Sequence, residues 1–234
     1  MCDMVTQEKK FDKAFFEKWA IDYDQRRNKS FLKKSKINLG KLFDKYAHGK
    51  TFMEIGLGTG ESFGILNTKF DISYGMDISE GMVRITHQKY KQKQNLFIGD
   101  GCNLALNANS FDFIICQDVL EHVPSQNRLI SEICRILKPE GIAIITTPNP
   151  LWAPILYIAE KLNWKVEEGE HKFSFLSPLV KKTIKIFNCI LIDDSPFMMI
   201  PVMTKFDKFI EPLLKKSFLK KLGFSQMCII KKQH

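Results

Sequence analysis

The stretch Phe52–Ser62, FMEIGLGTGES, decides the fold of this chain. It starts as an apolar run that contains one carboxylate, Glu54. Three glycines follow at alternate positions: Gly56, Gly58 and Gly60. A buried strand that leads into a glycine turn and a helix places backbone N–H groups around a ligand. The dinucleotide fingerprint is GxGxxG, but position 61 is glutamate, so the stretch alone leaves a nicotinamide, flavin or adenosyl ligand, or merely tight packing.

Outside this stretch, residues 51–150 alternate between strand and helix patterns. The predicted strands are TFMEIG (51–56), ISYGMDIS (72–79), NLFIGDG (95–101), FDFIICQD (111–118) and IAIITT (142–147). Ser79 is a suitable cap for a helix over Glu80–Lys91, and a second helix begins at Ser125. That helix should end at LKPEG, where Pro139 cannot continue it and Gly141 supplies a permissive turn. The alternation predicts an α/β fold with an open, mostly parallel sheet.

The flanking regions have a different pattern. Phe11, Phe15, Phe16, Trp19 and Tyr23 fall at near-helical spacing, and a second helix is expected over Phe31–Tyr46. After Pro150 we predict an apolar helix, the charged loop KVEEGEHK (165–172), a helix over Ser177–Phe187 and a Phe-rich segment over 196–222. The strands FNCILIDD (187–194) and FSQMCIIKK (224–232) would close the sheet. The predicted organisation is an amino-terminal helical cap (1–46), a cofactor-binding core (47–150), and acceptor-lid helices with closing strands of the same domain (151–234).

Polar residues stand where the later core strands end. Asp77 follows Gly60 by 17 residues at the end of the second strand, where a carboxylate can accept both ribose hydroxyls. Asp100 ends the third strand, and Gln117 and Asp118 end the fourth. NAD-binding and adenosyl-binding folds share the aspartate on the second strand. The two classes must therefore be distinguished by Glu54, Asp100 and the pair Gln117 and Asp118.

Together these motifs resemble the class I S-adenosylmethionine-dependent methyltransferases. The resemblance rests on EIGLGTG (54–60), GMDIS (75–79), GDG (99–101), FDFIICQDVLEHV (111–123), RILKPEGIAIITTPN (135–149) and the late His171, and it covers roughly residues 47–190. LEHV combined with TPN is most similar to the ubiquinone-biosynthesis-like O-methyltransferase branch. The resemblance implies a Rossmann-like, mostly parallel seven-stranded sheet with helices on both faces and an antiparallel last strand.

The resemblance also implies a set of S-adenosyl-L-methionine-binding residues. Glu54 would help anchor the methionine end of the cofactor, directly or through water, and the three glycines would let the backbone approach it. Asp77 would bind the ribose, with Ile78 packing near the adenine. Asp100 would accept a hydrogen bond from the adenine amino group, helped by the backbone at Gly101. Gln117 would line the pocket by the amino-acid part, mostly through its backbone.

The implied reaction is methyl transfer to an oxygen of a small or lipid-like metabolite. An oxygen acceptor can need a general base, and the candidates are His122 after Leu120-Glu121 and His171 in the loop expected to cover the cleft. No metal is expected. The alternatives are methylation of a nitrogen or a sugar in glycan or lipid assembly, and a non-catalytic cofactor-binding partner subunit. Methylation of nucleic-acid bases is disfavoured, because the base-methylating motif ends a fourth strand and TPNP (147–150) ends the fifth.

Charge and cysteine usage limit location and partners. The net charge of +9 divides into +6 for residues 1–50, −3 for 51–150 and +6 for 151–234. An acidic centre suits a cationic cofactor, although a lysine-rich solvated surface accounts for the basic flanks equally well. The six cysteines show no metal-ligand spacing and indicate reduced thiols of a cytoplasmic protein. No signal peptide or spanning segment is expected, but the lysines that border apolar residues in 204–222 leave peripheral membrane contact open.

Overall fold

A central sheet, mostly of parallel strands, organises the molecule. The computed structural model describes residues 13–26, 29–90, 94–152, 154, 178–198 and 222–234. Its strands are β1 (Thr51–Ile55), β2 (Ile72–Asp77), β3 (Gln94–Ile98), β4 (Phe111–Gln117), β5 (Leu137–Pro148), β6 (Cys189–Asp193), β7 (Pro196–Met198) and β8 (Ser225–Lys232). Their order is β3-β2-β1-β4-β5-β8-β6, with β7 also paired to β8. Neighbours from β3 to β5 run parallel, and β8 runs antiparallel to β5, β6 and β7.

The predicted Rossmann-like α/β sheet is therefore confirmed. Each of the seven predicted strands is present, including the antiparallel last strand, and β7 is an eighth. We did not predict β7, because three residues are too few to show the two-residue alternation that identifies a strand. Its residues are fully buried, and it pairs with the start of β8 through a register shift.

Helices cover both faces of this sheet. They are α1 (Lys13–Ala20), α2 (Tyr23–Arg26), α3 (Lys29–Tyr46), α4 (Glu61–Leu66), α5 (Glu80–Lys89), α6 (Gln126–Ile136) and α7 (Pro178–Ile186). The predicted first helix is broken by a turn at residues 21–22. The predicted caps are confirmed, since Ser79 accepts from Met82 N at 3.1 Å and Ser125 accepts from Arg128 N at 3.4 Å.

The connection from α6 to β5 differs from the prediction. The residue with positive φ is Glu140, at 66°, and Gly141 is not in that region. Gly141 is needed for space instead, because a Cβ there would lie 2.8 Å from the carbonyl oxygen of Lys138. The strand already begins at Leu137, which pairs with Phe111 before a register shift. Pro139 is tolerated because it lies at this irregular beginning of the strand.

Two hydrophobic clusters pack on opposite faces of the sheet. Ile114 and Cys116 of β4 belong to the cluster with α6 and α7. Phe113 and Ile115 belong to the cluster with α3 and α4. Strand β4 is thus covered on both faces, as its nearly continuous apolar sequence predicted.

Several expectations for the regions after residue 150 are not addressed by the structure. His171, most of the predicted apolar helix 151–163 and most of the Phe-rich segment 196–222 lie outside the described residues. The lysines invoked for membrane contact lie there too. The boundaries at residues 46 and 150 stay predictions. Of the helices that are described, none has the length and apolar character to cross a bilayer.

Candidate active site

The predicted site residues meet at the carboxyl-terminal edge of the sheet, around β1. Strand β1 lies between β2 and β4, so the chain moves outward in opposite directions from this point. Open α/β sheets bind ligands in the crevice at such a switch point. Glu54 lies in β1, Asp77 is the last residue of β2, and Gln117 is the last residue of β4. Asp100 follows β3 by two residues.

The glycine turn after β1 is fastened to the end of β2. The amides of Gly56 and Leu57 both donate to the carbonyl of Met76 at 2.9 Å. The amide of Gly58 donates to Asp77 Oδ2 at 2.8 Å. All three turn glycines have positive φ, at 77°, 51° and 80°. Only glycine adopts this conformation readily, so the turn depends on these residues.

The glycines differ in what surrounds them. A Cβ on Gly56 would lie 2.1 Å from Val119 Cγ2, so Gly56 is required for packing. A Cβ on Gly58 would meet nothing within 4 Å. Gly58 therefore borders open space beside Asp77, which fits a ligand that approaches the backbone closely.

Asp77 has a structural role that the sequence did not reveal. It is 8% exposed, and its Oδ1 accepts from the amide of Ser79 at 2.9 Å while Oδ2 holds Gly58. Burial raises its pKa, and the backbone N–H groups of Ser79 and Gly58 oppose that rise. Each carboxylate oxygen has two lone pairs, so both oxygens can still accept from a ribose.

Glu54 is a buried carboxyl with an unused oxygen. Its residue exposure is 3%, and Oε2 has no hydrogen-bond partner within the described parts of the chain. Burial raises its pKa well above the usual range, and the charge of Asp77 adds to the rise. The neighbouring Ser62 side chain and the backbone of Phe63 oppose the rise in pKa. A buried carboxyl of this kind is suited to a cationic ligand, which would supply the missing partner.

The side chain of Gln117 connects the core to the amino-terminal helices. Ser62 Oγ donates to Gln117 Oε1 at 2.9 Å, and Gln117 Nε2 donates to Ser35 Oγ at 3.3 Å. The resemblance implied a mainly backbone role for Gln117, and neither serine was predicted. Ser62 ends the quoted stretch and could have been considered, whereas nothing local to Ser35 in α3 signals this contact.

The adenine side of the predicted site is more open. Asp100 is exposed, and its Oδ1 accepts from the amide of Cys102 at 2.8 Å. Ile78 follows the buried end of β2 and is 39% exposed. Gly101 is partly buried against Leu129 and Ile55, the nearest atoms to a Cβ placed there. An apolar surface beside a carboxylate fits a flat heterocycle that carries an amino group.

His122 lies in the loop that follows β4. Its ring meets Phe16 of α1 edge to face, with centroids 5.3 Å apart. Its Nε2 lies 4.0 Å from Oε1 of the buried Glu121, whose Oε2 accepts from Thr147 Oγ1 at 3.0 Å. His122 thus lies in the loop after the strand that carries Gln117, and His171 lies outside the described residues.

Asn149 of the TPNP stretch has a structural role. Its Nδ2 donates to the Gly223 carbonyl at 2.6 Å, and its Oδ1 accepts from the Leu151 amide at 3.0 Å. The amide therefore ties the end of β5 to the start of β8. The described residues contain no cluster of His, Cys, Asp and Glu side chains suited to a metal ion.

Comparisons with known proteins agree with this geometry. Residues 53–145, less than half of the chain, match a family model described as a methyltransferase domain. The chain is 30% identical over 138 residues to a ubiquinone biosynthesis O-methyltransferase from Coxiella burnetii, a match that covers 56% of this chain and 58% of the relative. It is 29% identical over 115 residues to phosphoethanolamine N-methyltransferase 2 from Caenorhabditis elegans, covering 47% of this chain and 26% of the relative.

Among solved structures, the fold resembles magnesium protoporphyrin IX methyltransferase from Synechocystis with bound SAH. The TM-score is 0.64 at 17% identity, over 94% of this chain and 98% of that one. Residues 53–145 are therefore similar to methyltransferase domains, in agreement with the class that the motifs predicted. The matches span only 26% and 58% of the length of the two curated relatives. The substrates in the names of those proteins therefore describe the relatives and not this chain.

Proposed function

We propose that this protein transfers a methyl group from S-adenosylmethionine to an oxygen of a small or lipid-like metabolite. The observation that carries the proposal is the crevice beside β1. There, a carboxylate oxygen of Glu54 that has no hydrogen-bond partner among the described residues lies near the glycine turn, and Asp77 binds the amide of Gly58 in that turn. The similarity of residues 53–145 to a methyltransferase domain also supports S-adenosylmethionine as the ligand of this crevice.

The residues present fit this cofactor. Glu54 would bind the ammonium group of the amino-acid end, Asp77 the ribose hydroxyls and Asp100 the adenine amino group, with Ile78 against the ring. Gly56, Gly58, Gly60 and Gly101 would give the backbone access, and Gln117 would hold the pocket wall through Ser62. When bound, the cofactor supplies a methyl group already activated by the sulfonium, so the protein's main task is to position the acceptor.

The acceptor oxygen must lose its proton as the new bond to carbon forms. We propose that His122 takes that proton, because it lies in the loop after β4 and a buried carboxylate lies 4.0 Å from its Nε2. His171 stays a second candidate from the sequence. The similarity to a ubiquinone biosynthesis O-methyltransferase supports an oxygen acceptor. The similarity to a phosphoethanolamine N-methyltransferase keeps nitrogen methylation as the second candidate function.

One experiment tests the cofactor and then the acceptor. Isothermal titration with S-adenosylmethionine and S-adenosylhomocysteine should show binding that Asp77→Ala weakens severely, and a parent protein that binds neither contradicts the proposal. Turnover of a labelled methyl donor is then followed with a catechol-type hydroxyl acceptor and, separately, with phosphoethanolamine. Methylation of the amine alone would replace the oxygen proposal with the nitrogen one.

We also propose a cytoplasmic location. Five cysteines in the described part of the chain are free thiols, and four of them are buried in the core. Reduced thiols are typical of proteins that work in a reducing compartment. Fractionation of cells that express the tagged protein tests this, and recovery with the washed membrane fraction would favour the peripheral contact instead.

A further inference from the structure

The two short amino-terminal helices touch the loops that follow β1, β2 and β4. Phe16 contacts His122 after β4, Glu17 contacts the first turn of α5 after β2, and Asp24 contacts Thr59 in the glycine turn after β1. Those three strands carry Glu54, Asp77 and Gln117 at the crevice. A segment fastened to all three loops must cross the carboxyl-terminal edge of the sheet between them. Helices α1 and α2 therefore span the crevice.

The contact at the glycine turn is a latch of three groups. Thr59 Oγ1 donates to Asp24 Oδ1 at 2.6 Å. Lys89 Nζ donates both to Asp24 Oδ2 and, at 3.0 Å, to the Thr59 carbonyl. Thr59 is buried inside the glycine turn, so this latch holds a residue of the cofactor site itself. Charge-assisted hydrogen bonds of this kind are stronger than neutral ones.

The contact at α5 is a helix cap supplied from another element. The amides of Glu80 and Gly81 donate to the two carboxylate oxygens of Glu17, at 2.5 and 3.0 Å. Gly81 allows close packing, because a Cβ there would lie 2.9 Å from Ala20 Cβ. A carboxylate at a helix amino terminus satisfies free N–H groups and complements the helix dipole. Helix α5 begins three residues after Asp77, so Glu17 also steadies the ribose side.

We propose that α1 and α2 form a roof over the cofactor crevice, latched by Asp24 and Glu17, and that opening of this roof controls cofactor and product exchange. The inference rests on the proposed function, because it assigns the crevice to S-adenosylmethionine. Asp24 and Glu17 are positioning residues, which act through Thr59 and through the first turn of α5. Because the latch is made of a few polar contacts at partly exposed groups, it can open without unfolding the core.

The kinetic test follows S-adenosylhomocysteine by stopped-flow. Trp19 lies in α1 with its ring 5.1 Å from that of Tyr23, so its fluorescence reports on the roof, and Trp19→Phe identifies its share of the signal. Asp24→Asn and Lys89→Met should each raise the association and dissociation rate constants roughly two- to fivefold, the range expected for losing an ion pair between side chains that are about a third exposed or more. The dissociation constant should change much less. The double variant should resemble either single variant, because one broken latch is already open.

The matched control is the ion pair between Lys69 and Asp44, whose atoms are 2.8 Å apart outside the crevice. Lys69→Met should leave both rate constants unchanged. The roof proposal is wrong if Asp24→Asn leaves both rate constants unchanged, or if Lys69→Met changes them equally. A general loss of stability would lower the melting temperature and the affinity together without speeding both rates.

A measurement without ligand separates this proposal from the proposed function. Amide hydrogen exchange at Glu80 and Gly81 should become faster in Glu17→Ala, and exchange across α1 and α2 should become faster in Asp24→Asn. If exchange is unchanged, the latch is wrong whatever binds in the crevice. A third outcome is that the variants change hydrogen exchange although the parent does not bind S-adenosylhomocysteine. In that case the latch stands, and both the proposed function and the role of the roof in cofactor exchange are overturned.

Discussion

Glu54→Gln should abolish a proton release that accompanies cofactor binding. In the free protein burial raises the pKa of Glu54 well above its usual range, with the charge of Asp77 adding to the rise, so this carboxyl keeps its proton to a higher pH than an exposed glutamate does. A cation beside Oε2 favours the ionised form, and the proton must leave as the ligand enters. The structure sets the magnitude at up to one proton for each cofactor molecule. Loss of the charged contact should weaken binding roughly 10- to 150-fold, as for a hydrogen bond to a charged group.

The assay is calorimetric titration with S-adenosylhomocysteine in two buffers of different ionisation enthalpy. The difference in observed heat gives the protons released, and measurements from pH 5 to 8 locate the Glu54 transition. The parent should release a fraction of a proton that varies with pH, and Glu54→Gln should not release it. A parent that releases no proton anywhere in this range, or a variant that releases as many, refutes the reasoning.

The same substitution should stabilise the protein without ligand. A carboxyl whose pKa is higher in the folded state binds more protons there, so stability falls as pH rises between the unfolded and folded pKa values. Glu54→Gln removes that penalty, and its melting temperature should exceed that of the parent more at pH 8 than at pH 5. The matched control is Glu132→Gln, because the hydrogen bond from Arg135 lowers the pKa of Glu132. That control should be destabilising at pH 8, the opposite sign.

Three further predictions concern stability, the turn and the base. The Asp112 side chain is 25% exposed. Burial raises the pKa of its carboxyl, but hydrogen bonds from the Thr51 hydroxyl and Lys138 outweigh this effect and lower the pKa to about 2. Asp112→Asn should reduce the free energy of unfolding by about 1–2 kcal/mol at pH 7, and in urea titrations the deficit should disappear as pH falls from about 4 towards 2. Gly58→Ala should fold with a loss of about 1–2 kcal/mol from its positive φ and bind S-adenosylhomocysteine more weakly, whereas unchanged affinity would place the ligand elsewhere. His122→Ala should reduce turnover on a hydroxyl acceptor roughly 100-fold or more with cofactor affinity retained; unchanged turnover would remove His122 and leave His171 as the candidate.

The sheet was predictable because each core strand carries its own local signal. The strand at 111–117 is almost continuously apolar, and Ser79 and Ser125 are helix caps that can be recognised from three or four residues. The positive φ at Glu140 was not predictable. Glycine normally takes that conformation, but the neighbouring Gly141 is needed where the backbone approaches Lys138. The space available for a side chain depends on segments that are distant in the sequence. A local sequence pattern therefore cannot predict it.

The same distinction applies to the site. Glu54, Asp77 and Gln117 could be placed at one edge because strand ends converge in a parallel sheet. Their partners could not be predicted in the same way, because Ser35 precedes Gln117 by 82 residues and Asp24 precedes Thr59 by 35. These contacts require α1–α3 to lie against the core, which amphipathic spacing predicts only as burial of a helix face and not as a particular hydrogen bond.

The buried carboxyl pair connects stability to ligand charge. Glu54 and Asp77 come from neighbouring parallel strands, and the pKa of each is raised chiefly by burial. Two desolvated acids at one edge destabilise the free fold at neutral pH, and a cation in the crevice removes part of that penalty. S-adenosylmethionine carries a sulfonium charge that the demethylated product lacks, so the site should relieve more of the penalty with the donor than with the product. We therefore expect the two carboxyls to favour donor over product, and this preference should weaken at a pH low enough to protonate Glu54.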